Sequence, residues 1–219
     1  MCAISSDPAR CEEGRSRRYR QRLLMLARSH RPSPRRRFGC ATLRGVLCEA
    51  MLIVSSLEHA PSQVAAHRPL RSLSLLSPAH ADGFDASWLP AERIILRFHD
   101  VVEPGPEHVV ADEAMVRAIL AFGRRCAPRQ PALVHCWMGV SRSPAAAYVI
   151  ACARAPGDER AVARELRRRA PHATPNRLLV AIADDVLGCQ GRMVDAVAGI
   201  GRGQEVDGAV QPFSLPLSW

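Results

Sequence analysis

The chain has 219 residues, 47% of them hydrophobic, with 30 Arg, no Lys and 21 acids for a net charge of +9. This length and apolar content suit one globular domain with tails, and no apolar run approaches the ~18 residues a membrane helix needs, so no membrane association is expected. The charge is uneven: residues 1–50 hold 12 Arg against 4 acids, residues 51–219 hold 18 Arg against 17 acids, so the basic character belongs to the N-terminal stretch and the remainder is not expected to bind nucleic acid.

Residues 1–50 carry two Arg clusters, one around Arg15 to Arg22 and one at Arg35 to Arg37, separated by a Pro-Ser-Pro break and without a coherent apolar face. They read as a disordered basic tail, or as sequence upstream of an alternative start at Met51. A transit peptide fits less well because Glu12 and Glu13 interrupt the basic run. From Met51 strands and helices alternate, which predicts an α/β domain over 51–200 around a mostly parallel sheet of about four strands flanked by helices. The expected strands are Met51 to Leu57, Leu73 to Ser77, Arg93 to His99 and Ala132 to Val134. The expected helices are a short one near Glu58 to His67, one opened by Asp112 and Glu113 and running through Phe122, one after Arg142, and three near Asp158 to Ala170, Pro175 to Leu187 and Met193 to Ile200. The stretch 201–219 reads as a peripheral tail.

The stretch with chemistry is Pro131 to Pro144, PALVHCWMGVSRSP. It reads as a strand, a tight loop and a helix start, a combination whose backbone N–H groups form an anion cradle. Gly139 lets the loop curl, and Arg142 supplies a planar two-pronged donor suited to phosphate. Inward amides and a helix N-terminus stabilise a thiolate, so Cys136 becomes a candidate nucleophile facing a bound phosphate. A Cys with Arg six positions on is weak by itself: with 8 Cys and 30 Arg in 219 residues about one such pair arises by chance. A decoy with the same offsets sits at Cys11 to Arg17. No strand precedes it, and Glu12 and Glu13 would repel a phosphate. Around Cys136 the loop is uncharged, and Ala145, Ala146 and Ala147 can pack a helix beneath it.

These residues, His-Cys-x-x-Gly-x-Ser-Arg-Ser from His135 to Ser143, resemble the signature of the cysteine-dependent protein tyrosine phosphatases, nearest the compact dual-specificity type. Leu166 to Asn176, LRRRAPHATPN, is similar to that family's helix–Pro-Asn–helix segment, and the likeness spans roughly Met51 to Gly188. The resemblance implies Cys136 as nucleophile and the amides of Trp137, Met138, Gly139, Val140, Ser141 and Arg142, with the Arg142 side chain, as phosphate ligands. It implies that His135 orients the loop and favours the thiolate, and that Ser143 bonds the sulfur and eases breakdown of a cysteinyl-phosphate. It implies no metal or other cofactor, consistent with the absence of any CxxC pair or Cys/His metal spacing. The partner is then a phosphoprotein or a small phosphate ester, and a reducing, cytoplasmic setting suits a working thiolate.

Expelling the leaving oxygen requires a proton donor outside the loop. Asp100 ends the strand RIILRFH, 36 residues before Cys136, and the resemblance places the acid similarly. Glu103 and Glu107 are rivals beside prolines, and Asp112 reads as a helix cap. His99 reads as a loop residue, Cys126 as a bystander thiol rather than a redox partner, Cys152 as core and Asn176 as a helix cap. The Arg167 to Arg169 run reads as a solvated helix face. With Trp137 and Met138 in the loop, phosphotyrosine is expected to be preferred over phosphoinositides, with phosphoserine and phosphothreonine as secondary substrates. A phosphatase of non-protein monoesters and a phospho-binding pseudoenzyme are the competing readings. Deleting residues 1–50 is expected to leave a folded domain of unchanged activity and melting temperature, and Cys11→Ser to change neither.

Overall fold

The computed structural model describes residues 50–219. The expectations for the basic stretch and for the Cys11 decoy fall outside these residues. In chain order the elements are β1 (Met51–Ser56), α1 (Ala60–His67), β2 (Arg71–Leu76), α2 (Pro78–Asp82), β3 (Glu92–Arg97), α3 (Glu113–Arg124), β4 (Ala132–Cys136), α4 (Arg142–Arg154), α5 (Glu159–Arg169), α6 (Arg177–Leu187), α7 (Arg192–Ile200) and β5 (Phe213–Pro216).

The strands form one sheet in the order β3-β2-β4-β1-β5. β1 and β2 flank β4 in parallel, with Ser56 and Leu75 both opposite Cys136. Such a central strand is covered on both faces and must be apolar throughout; every residue from Ala132 to Cys136 is buried. α1, with Phe84, Trp88 and Leu89, covers one face of the sheet over Ile53 and Leu133. The other face carries α4, around which α3, α5 and α6 pack. The residues of α4 from Arg142 to Cys152 are all buried, as expected of a helix with no polar stripe. Its run of three alanines lets the neighbouring helices approach closely.

The parallel strands are those expected from the sequence, and Asp112 caps α3 by accepting from the Met115 N–H at 2.8 Å. Two features differ. α2 lies in what read as loop. The final stretch is part of the sheet: β5 pairs antiparallel with β1, Leu52 opposite Leu215, and the Leu217 N–H donates to the Ala50 carbonyl at 2.9 Å. Only four residues long, β5 is too short to show a clear alternation. Leu215 in it and Leu217 just after it are nevertheless buried, so this end of the 201–219 stretch joins the core, while residues 201–208 are mostly exposed. Leu215→Ala is expected to lower stability by about 2–5 kcal/mol, the usual cost of a buried large-to-small change, read by denaturant unfolding; a loss under 0.5 kcal/mol would return the stretch to the periphery.

Candidate active site

β4 ends at Cys136, and the chain turns through Trp137 to Ser141 into α4. The site therefore lies at the carboxyl ends of the parallel strands, where open α/β sheets place ligands. Cys136 is 2% exposed. Its Sγ accepts from the Gly139 N–H at 3.3 Å and lies 3.1 Å from Ser143 Oγ, which itself donates to the Ser55 carbonyl at 3.5 Å. Gly139 has φ +81°, and a Cβ there would lie 2.9 Å from both the Ser56 nitrogen and Val210 Cγ2, so both conformation and space demand glycine.

The outward side of the loop explains its inward side. In a planar trans peptide the C=O and the following N–H point in opposite directions. Four loop carbonyls are held outward by backbone N–H groups: Trp137 by Leu57 (3.0 Å), Met138 by Val210 (3.2 Å), Val140 by Thr174 (2.8 Å) and Ser141 by Asn176 (3.3 Å) and Ala145 (3.0 Å). The N–H groups of Met138, Gly139, Ser141 and Arg142 are thereby turned toward the sulfur side. Thr174 and Asn176 belong to the turn before α6 that the sequence singled out. Leu57 and Val210 carried no sequence signal.

Arg142 is buried, yet its side chain reaches the cleft. Nη1 donates to the Phe98 carbonyl at 2.9 Å. Nε has no hydrogen-bond partner; its nearest oxygen is Asp100 Oδ2 at 3.6 Å, an ion pair beyond hydrogen-bond reach. A buried guanidinium N–H without an acceptor is costly. Asp100 Oδ1 accepts from Ser141 Oγ at 2.7 Å and from Asn176 Nδ2 at 2.8 Å. Asn176 also donates to the Val101 carbonyl, and its Oδ1 caps α6 through the Leu179 N–H. One amide thus ties the candidate acid to the helix that supports the loop. The capping role was legible from the sequence; the bond to Asp100 was not, since 76 residues separate the two.

Cys136, Arg142, Asp100, Trp137, Met138, Val140 and Ser141 line one cleft of about 1130 Å³, together with Glu103, Arg177 and the stretch Arg202 to Asp207. Among the rivals of Asp100, Glu103 lines this cleft, Glu107 does not, and Asp112 is occupied as a cap. His99 bends the Asp100 loop, its Nδ1 accepting from the Val109 N–H at 3.1 Å. Trp137 and Met138 are 46% and 37% exposed, and Trp137 stacks on His80 of α2 at 3.9 Å.

His135 faces away from the sulfur, as strand alternation requires of the preceding residue. It is fully buried, with Nε2 2.7 Å from Ser74 Oγ and its ring between Phe84 and Trp88. Burial lowers its pKa to about 4, only partly offset by the Cys136 backbone. The ring is neutral at neutral pH and brings no positive charge to the sulfur.

The other thiols in the described residues stay protonated: burial pushes Cys126 up to about 11 and Cys152 up to about 12, in keeping with bystander and core roles. The Arg167 to Arg169 run is not a solvated face. Arg167 donates to the carbonyls of Pro171, Ala173 and Gly201, and Arg169 to Glu165 and the Ser214 carbonyl. Only Arg168 is exposed, paired with Glu165, whose carboxyl the two arginines hold at about 2. Arginine stems and forks suit such bridging of carbonyls, which periodicity alone could not reveal.

Among solved structures the chain is similar to the Yvh1 phosphatase domain from Chaetomium thermophilum, at 21% identity over 63% of this chain and 92% of that one with a TM-score of 0.48. It is also similar to DUSP15, at 16% identity over 71% of this chain and 94% of that one with a TM-score of 0.45. No family model matches the chain, and no curated protein matches it. The likeness is one of fold: an α/β domain built on a mostly parallel sheet.

The depressed His135 pKa has a consequence for stability. Between its ordinary value of 6.5 and about 4 the unfolded chain binds a proton that the folded chain does not. Stability should therefore fall as pH drops through that window. His135→Gln is expected to remove this limb from a plot of melting temperature against pH; an unchanged limb would assign it to another group.

Proposed function

We propose that the chain is a cysteine-dependent phosphoric monoester hydrolase acting on phosphotyrosine in proteins. The observation that carries this reading is the meeting, in one cleft, of Cys136 Sγ under the Gly139 amide, the acceptor-free Nε of Arg142 and the carboxyl of Asp100. The loop amides and Arg142 bind the three peripheral phosphate oxygens. The thiolate attacks phosphorus and the ester P–O bond breaks, while Asp100 gives its proton to the departing oxygen. Asp100, now a carboxylate, takes a proton from water as that water attacks the cysteinyl-phosphate, releasing inorganic phosphate and restoring the thiolate. Ser143 Oγ donates to the sulfur as it leaves. No metal enters these steps. Among the described residues no helix is long and apolar enough to cross a membrane, and a reducing compartment such as the cytoplasm suits the thiolate.

Two features favour phosphotyrosine over a phosphoinositide. Trp137 and Met138 present an indole and a thioether at the mouth, suited to an aromatic ring. The cleft wall carries Glu103, Glu205 and Asp207 against Arg177 and Arg202, a poor setting for several further phosphates. Arg167 and Arg169 of the basic run on α5 are engaged with carbonyls and Glu165.

Cys136→Ser is expected to abolish turnover while vanadate still binds, because the amides and Arg142 remain. Asp100→Asn is expected to slow poor leaving groups at least a hundredfold and an activated aryl phosphate much less, within the range of general acid catalysis. Rates above a few per cent in the serine variant would identify another nucleophile. The leaving-group pattern appearing in Glu103→Gln instead would move the acid. A kcat/KM for a soluble phosphoinositide above that for a phosphotyrosine peptide would overturn the substrate class.

A further inference from the structure

The stretch after α7 makes contacts that the catalytic roles above do not use. Arg167 holds the Gly201 carbonyl, the Gly203 N–H donates to Thr174 Oγ1 at 3.0 Å and the Gln204 N–H to the Pro171 carbonyl at 3.0 Å. The chain then lines the cleft as far as Asp207 and passes beneath the loop at Val210 before joining the sheet as β5. Val210 is buried. Its N–H donates to the Met138 carbonyl at 3.2 Å, and its Cγ2 fills the space a Cβ on residue 139 would take.

We infer that Val210 is a positioning residue for the nucleophile: its N–H orients the Met138–Gly139 peptide so that the Gly139 N–H points at Cys136 Sγ. The two ends of that peptide are linked by its planarity. One end is held by Val210, and the other donates to the sulfur at 3.3 Å. A donor aimed at the sulfur stabilises the thiolate over the thiol. Without the Val210 N–H the Met138 carbonyl would lose the donor that holds it outward, and a rotated peptide would turn its oxygen toward the anion. β5 anchors the device, since the pairing of Leu215 with Leu52 fixes Val210 against the carboxyl end of β1. The stretch read as a peripheral tail is therefore a working part of the loop.

This inference rests on Cys136 being the nucleophile, and the test separates the two. Cys189 allows the full chain to be assembled by ligating a synthetic 189–219 peptide, in which the backbone N–H of residue 210 is replaced by an ester oxygen with every side chain kept. The all-amide ligated chain is the reference, and an ester at Gln211 controls for the chemistry. The pH profile of Cys136 alkylation by iodoacetamide, kcat and KM on an aryl phosphate, and the melting temperature are read together. The ester at 210 is expected to move the alkylation midpoint to higher pH and to lower kcat about fivefold to tenfold, the scale of one net hydrogen bond. KM should stay within about twofold, and melting within a few degrees of the reference. Val210→Ala, which keeps the N–H, should leave the midpoint in place. An unchanged alkylation midpoint in a normally melting ester chain overturns the inference. So does a large fall in melting temperature, which would make the bond a stability element. A shifted midpoint in a protein with no turnover on any phosphate ester would uphold the inference and sink the phosphatase reading.

Discussion

A loop that turns its amides toward an anion must turn its carbonyls the other way, and each of those carbonyls needs a donor. This constraint organises the site. Leu57 follows β1, Thr174 and Asn176 precede α6, and Val210 precedes β5; each supplies a backbone N–H to one loop carbonyl. The cradle is thus held by three segments remote in sequence. Because these are main-chain bonds, the identity of the side chains hardly matters, and the packing of the segments matters entirely.

The same economy governs the charged groups. Arg142 is buried, with one guanidinium nitrogen satisfied by the Phe98 carbonyl and another without a hydrogen-bond acceptor. Asp100 is held by Ser141 and Asn176 at hydrogen-bond distance and by Arg142 slightly beyond it. Breaking the Arg142–Phe98 bond costs more than forming it contributes, because the carbonyl left behind is buried and unpaired. The sulfur lies buried at one end of the cleft, and Glu103 and the Arg202 to Asp207 stretch meet solvent along its wall.

Position on a strand separates residues adjacent in sequence. Cys136 and His135 are neighbours, yet alternation sends one to the cleft and the other beneath the opposite face of the sheet, among Phe84, Trp88 and Ser74. A motif read as a string places both at the site. In the folded chain one is the candidate reacting group and the other a neutral support. The Arg167 to Arg169 run shows the same effect on a helix, where three consecutive residues point in different directions and meet carbonyls, a carboxylate and solvent.

What the sequence by itself determined was local. The apolar run before Cys136, the small residues after Arg142, the glycine at the tight turn and the capping residues Asp112 and Asn176 all act within a few positions of themselves, so their patterns could be read directly. They sufficed for the α/β architecture and for the four parallel strands. The tertiary structure alone decided which segments face the loop from outside: that Asn176 grips Asp100, that Arg167 ties two helix ends together, and that a four-residue strand far along the chain brings Val210 beneath Gly139. Those contacts join residues from 33 to 76 positions apart or more. Pairings between segments so far apart leave no mark on composition or periodicity, least of all where, as at Val210, the donor is a backbone group that every residue carries.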